Sequence, residues 1–95
     1  MTPGTEREVQ TAIVHVARRL GWYVVVTSDR RRALAKGMPD LYCTHPGKRR
    51  CVWLEVKGKK GKASLDQLLW MRRVQAAEGE SYVVHSVDEA LAILT

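Results

Sequence analysis

"DLYCTHPGKRRCVWLEVKG", residues 40–58, decides how this chain folds. Val52, Leu54 and Val56 alternate with Cys51, Trp53, Glu55 and Lys57, the two-residue period of a strand with one apolar face. Leu41 to Thr44 reads as the preceding strand, and "HPGK" between them supplies the turn. A turn centred between Gly47 and Lys48 sets Leu41 opposite Leu54, Tyr42 opposite Trp53 and Cys43 opposite Val52. A slip by one residue would break up these apolar pairs, so the hydrophobic pattern specifies the register. The same register sets Asp40 against Glu55, with Cβ atoms about 5 Å apart. Two carboxylates so placed repel. A hard divalent cation between them converts the repulsion into coordination, and oxygen donors suit Mg²⁺ or Mn²⁺. Lys57, two residues beyond Glu55, points to the same face.

Working outward, Thr5 to Leu20 is helical: Val9, Ile13, Val16, Ala17 and Leu20 recur at helical spacing, and Gly21 stops the run. "WYVVVT" (22–27) is short and β-branched, which predicts a central strand. "SDRRRALAKGM" (28–38) has no period and reads as a mobile basic loop, as does "GKKGKA" (58–63). Ser64 and Gln67 form a capping box for a second helix ending at Gly79; "SYVVH" (81–85) is a fourth strand, and Ser86 with Glu89 caps a last helix over 87–94. The order is αβββαβα: an α/β sandwich around a mixed four-stranded sheet flanked by helices. Residues 1–95 read as one domain with 1–4 disordered. Phe is absent, so Trp, Tyr, Val and Leu are expected to supply the core.

A net charge of +6 and a pI near 9.8 point to a polyanionic partner, nucleic acid before membrane surface. No apolar run approaches the ~20 residues of a membrane span, and "MTPGTERE" lacks a signal-peptide core. The chain reads as cytoplasmic, in a bacterial or phage setting. Cys43 and Cys51, with no CxxC spacing, are expected to be buried free thiols rather than zinc ligands. His15, His45 and His85 share no metal-binding spacing and are expected to be structural or exposed.

A third carboxylate comes from the first helix. At ~100° per residue, Glu6 lies in line with Val9, Ile13, Ala17 and Leu20 and aims at the sheet, whereas Glu8 points to solvent. Gln67 has two readings, capping partner of Ser64 or site residue. It shares an inward helix face with Trp70, Met71 and Val74. Arg30, Arg31, Arg32 and Lys36 on one side, and Lys59, Lys60 and Lys62 on the other, flank the proposed site in a layout suited to phosphate contacts. Leu65, Leu68 and Leu69 form a second apolar edge on the same helix, either a subunit interface or a seat for the terminal helix.

"GMPD" followed by "LEVKG" resembles the PD-(D/E)xK nuclease signature. The wider pattern resembles stand-alone VRR-NUC (virus-type replication-repair nuclease) domains. It comprises E-x-x-V-Q at Glu6–Gln10, "GWYVVV", "KGMPDLY", "WLEVK", "SLDQ" and "YVVHSVDEAL". The resemblance implies a restriction-endonuclease-like core and Mg²⁺- or Mn²⁺-dependent cleavage of DNA phosphodiesters. It implies Asp40, Glu55 and the Val56 carbonyl as metal ligands, Lys57 as catalytic lysine, Glu6 as helix-borne acid and Gln67 as a residue that helps hold the site. Ser28 joins the flanking basic residues as a DNA contact. Small stand-alone members resemble archaeal Holliday-junction resolvases and act as homodimers on branched DNA. The reading is therefore a homodimeric, metal-dependent, structure-selective DNA endonuclease cutting four-way junctions. Alternatives are a flap, nick or replication-fork nuclease of the same chemistry, or a DNA-binding module without turnover.

Overall fold

Thr5 accepts a hydrogen bond from the Glu8 N–H and Glu8 reaches back to the Thr5 N–H, a reciprocal cap that starts helix α1, Glu6–Arg19. The computed structural model describes residues 4–28 and 35–95. Strand β1 (Tyr23–Val26) follows α1, then β2 (Leu41–His45), a 3₁₀ turn (Pro46–Lys48) and β3 (Arg50–Val56). Helix α2 (Leu65–Ala76), strand β4 (Glu80–Val84) and helix α3 (Val87–Leu94) complete the order. The sheet runs β1-β2-β3-β4, antiparallel across the first two junctions and parallel between β3 and β4, with α2 as the crossover. This is the predicted mixed four-stranded sheet flanked by helices.

The hairpin register is the one the apolar pattern demands: Leu41↔Leu54, Tyr42↔Trp53, Cys43↔Val52. Leu41, Cys43, Val52, Leu54 and Val56 are wholly buried and meet Val9, Ile13 and Ala17 of α1 with Ala90 and Leu94 of α3 in one core. On the opposite face Tyr42 stacks on Trp53 at 4.4 Å between ring centroids, and Trp70 of α2 meets Trp53 edge-on at 5.8 Å. Helix α2 ends in a paired-carbonyl cap: Gly79 N–H donates to Val74 and Glu78 N–H to Gln75. The left-handed position falls on Glu78, while Gly79 is required because a Cβ there would lie 2.7 Å from the Val74 side chain.

Four expectations are corrected. β1 is an edge strand, not a central one: its residues alternate between the core and solvent, with Tyr23 69% exposed. A β-branched run reports strand propensity, not position in the sheet. Aromatics contribute less to the core than expected, since only Trp22 among the Trp and Tyr residues is buried. Cys43 is a buried free thiol, its pKa pushed up to about 11 by burial, but Cys51 is exposed because strand alternation turns it away from Val52. α2 stops at Ala76, three residues before Gly79. Helix α3 packs on α1 rather than α2 and so leaves Leu65, Leu68 and Leu69 open to solvent. No helix among the described residues is long and apolar enough to cross a membrane.

Candidate active site

Asp40 lies one residue before the β2–β3 ladder, on the continuation that faces Glu55. It is 1% exposed, and its Oδ2 accepts the Val56 N–H at 2.9 Å, which fixes the carboxylate against β3. Thr27 secures the backbone there: its hydroxyl donates to the Pro39 carbonyl and its N–H donates to the Asp40 carbonyl at 2.8 Å. Gly37, two residues before Pro39, has φ +85°, and a Cβ there would stand 2.4 Å from the Asp66 carbonyl oxygen. Only glycine lets this loop sit directly on the first turn of α2.

Glu55 is the centre of the arrangement. Its Oε2 meets the Lys57 ammonium at 3.0 Å and accepts the Gln67 amide N–H at 2.9 Å. The other carboxylate oxygen, Oε1, is buried, and among the described residues no donor reaches it. Helix α1 brings the third acid. One carboxylate oxygen from each of Glu6, Asp40 and Glu55 lies within 4.8 Å of the other two. Glu8, tied up in the cap of α1, has its carboxyl held below the usual range by its bonds to Thr5. Gly58, just past Lys57, keeps the start of α1 close to the end of β3: a Cβ there would lie 3.3 Å from the Glu6 nitrogen.

Gln67 fills both roles that the sequence offered. Its Oε1 accepts the Ser64 N–H at 2.8 Å while its Nε2 donates to Glu55. One amide thus caps α2 and anchors the site to it.

The electrostatics of this centre favour a positive charge. Burial pushes the Glu55 carboxyl up to about 7, the negative charge of Asp40 pushes the same way, and the Lys57 ammonium opposes both. A single ammonium does not neutralise three converging carboxylates. An oxygen-only donor set with an unsatisfied buried oxygen fits a hard divalent cation, so Glu6, Asp40 and Glu55 could hold one.

Val56 sits between Glu55 and Lys57, its N–H on Asp40 and its side chain in the core. Ser28 follows Thr27 and accepts from the Gln10 amide at 3.3 Å. Lys36 is exposed and pairs with Asp66 of α2 at 3.3 Å. Lys59, Lys60 and Lys62 are exposed on the β3–α2 loop. Arg30, Arg31 and Arg32 lie outside the described residues.

Two residues that shape the site carry no motif. Thr27 is one; nothing in "VVVT" signals that its hydroxyl will meet Pro39. His85 is the other: its Nε2 lies 2.9 Å from the Gly61 carbonyl and its Nδ1 3.4 Å from Glu89. Gly61 in turn lies against Lys57, where a Cβ would come within 3.1 Å of the lysine Cβ. His85 therefore anchors the basic loop beside Lys57, a structural role in keeping with the expectation for the histidines.

No curated protein and no solved structure matches the chain. Residues 5–88 match the model of the VRR-NUC domain, a span reaching from the cap of α1 into the first turn of α3. The chain therefore belongs to the VRR-NUC family, and that membership implies a nuclease of the PD-(D/E)xK type.

Proposed function

We propose that residues 1–95 act as one Mg²⁺- or Mn²⁺-dependent DNA endonuclease domain that hydrolyses phosphodiester bonds in branched DNA, four-way junctions first. The observation that carries this reading is the convergence of Glu6, Asp40 and Glu55 within 4.8 Å around a buried Glu55 oxygen that lacks a donor, next to an ammonium. Asp40, Glu55 and the Val56 carbonyl would hold the ion, with Glu6 completing its coordination. Bound there, such an ion supplies Lewis acidity toward the scissile phosphate and the attacking water.

The chain's own residues do the rest. Lys57, whose side chain is 15% exposed, keeps its ammonium 3.0 Å from Glu55, within reach of a phosphate seated at the carboxylates. It orients the attacking water and offsets the charge that develops on the phosphorane. Gln67 holds Glu55 in place through a hydrogen bond backed by the start of α2. Asp40 is held in turn by the Val56 N–H. Ser28, Arg30, Arg31, Arg32, Lys36, Lys59, Lys60 and Lys62 contact the DNA backbone around the scissile bond. Such contacts position the substrate without reading bases, so selectivity follows DNA shape. Two copies joined through the exposed Leu65, Leu68 and Leu69 face of α2 would match the two-fold symmetry of a four-way junction.

The test is cleavage of labelled four-way junction, flap and linear duplex in Mg²⁺, Mn²⁺ or EDTA. Wild type cuts a branched substrate only with metal, while Asp40→Ala and Lys57→Ala bind it without cutting. Equal cutting by both variants, or cutting in EDTA, would overturn the assignment. Preference for the flap over the junction would move the substrate and keep the chemistry.

A further inference from the structure

Helix α1 presents two flanks besides the stripe that meets the sheet. One side packs on α3 through Val16 and Ala17. The other faces β1 across a groove of about 610 Å³. Arg7, His15, Arg18 and Arg19 line it, with Gln10 and Thr11 between them, and among the described residues no acid does. Val14 and Val26 supply the apolar part of the lining. Arg18 is braced, because its guanidinium donates to the Val24 carbonyl at 3.1 Å.

The groove and the carboxylate centre are adjoined through the chain. Arg7 is the next residue after Glu6, and Gln10 bonds Ser28, the neighbour of the Thr27 that secures Asp40. From Arg7 to Arg19 the helix rises about 18 Å at ~1.5 Å per residue. That is the axial length of about five phosphates on one strand. A concave, acid-free trough with charged walls and an apolar stretch fits the phosphates and sugars of a nucleic-acid backbone. A membrane surface would ask for a convex apolar face instead.

We propose that this groove is a track for the DNA strand on one side of the scissile phosphate, leading one arm of the substrate along α1 toward the start of β1. The proposal rests on the nuclease reading and adds a contact surface separate from the basic loops around the site. It assigns Gln10, His15, Arg18 and Arg19 to backbone binding, with no part in bond cleavage.

Fluorescence anisotropy with a labelled branched DNA in EDTA, across a salt series, tests it. Arg18→Ala with Arg19→Ala should weaken binding at least tenfold at low salt. It should also flatten the log–log salt slope by about 2, from ~0.9 per phosphate contact. The same double change on α2, Arg72→Ala with Arg73→Ala, should shift affinity less than twofold. Because Arg18→Ala also removes the bond to Val24, Arg19→Glu alone serves as the second variant, with thermal melting as the folding check. Groove variants that melt like wild type and bind DNA with unchanged affinity and slope would overturn the track and leave the nuclease reading standing. A wild-type protein that neither binds nor cuts DNA would overturn both.

Discussion

Glu55 should make the metal-free fold less stable as pH rises, the reverse of ordinary acid denaturation. Its carboxyl sits at about 7 in the fold against 4.5 as the ordinary value. A group whose folded value is raised contributes its full stability below the unfolded value and loses it as pH climbs through the folded one. At about 1.4 kcal/mol per pH unit, the loss between pH 5 and pH 8 is on the order of 2–3 kcal/mol. Glu8 and Glu80 act the opposite way. The cap of α1 and the Arg50 guanidinium hold their carboxyls low, so their contributions fade only as pH falls through the acid range. Urea unfolding in EDTA at pH 5, 6.5 and 8 isolates Glu55 when wild type is compared with Glu55→Gln. Wild type should lose about 2–3 kcal/mol over that interval and the variant less than about 1, since an amide has no proton to give up. Saturating Mg²⁺ at pH 8 should restore the wild type and leave the variant unmoved. Parallel pH profiles would refute the placement of a strained carboxylate at this centre.

Other substitutions separate the parts of the site. Gln67→Glu keeps a capping acceptor for the Ser64 N–H but sets a like charge against Glu55; circular dichroism should show an intact helix while cleavage falls at least tenfold. Gly37→Ala should lower stability by more than about 2 kcal/mol in urea titration, because the positive φ and the Asp66 backbone both resist a methyl. Thr27→Val removes the hydroxyl that holds the Pro39 carbonyl and should cost about 1–2 kcal/mol by the same titration, with weaker Mn²⁺ affinity. Leu68→Lys with Leu69→Lys should give a monomer by light scattering if α2 forms the subunit contact. An unchanged mass would reject that face.

The centre of the fold was legible because its signals are local. Alternation in "CVWLEV" and an obvious turn set the hairpin register, and that register puts Asp40 beside Glu55, where the structure has it. Helical phase alone separated Glu6 from Glu8. Gln67 was ambiguous because both roles call for the same residue three positions after Ser64, and its amide satisfies both with opposite ends. What could not be read depends on packing between distant segments. β1 lies at the edge because among the described residues no strand pairs with its outer side, which a run of valines does not encode. Thr27 and His85 matter through partners 12 and 24 residues away, reached only once β1 lies beside β2 and β4 beside β3. The arginine-lined groove spreads over three turns of α1 and the end of β1, so its charges never form a run in sequence.

Calorimetric titration of Mn²⁺ into the protein at pH 8 bears most directly on whether these acids hold a cation. Wild type should show saturable binding that Asp40→Asn and Glu55→Gln each abolish while still melting cooperatively. Binding of undiminished affinity in both folded variants would contradict the account.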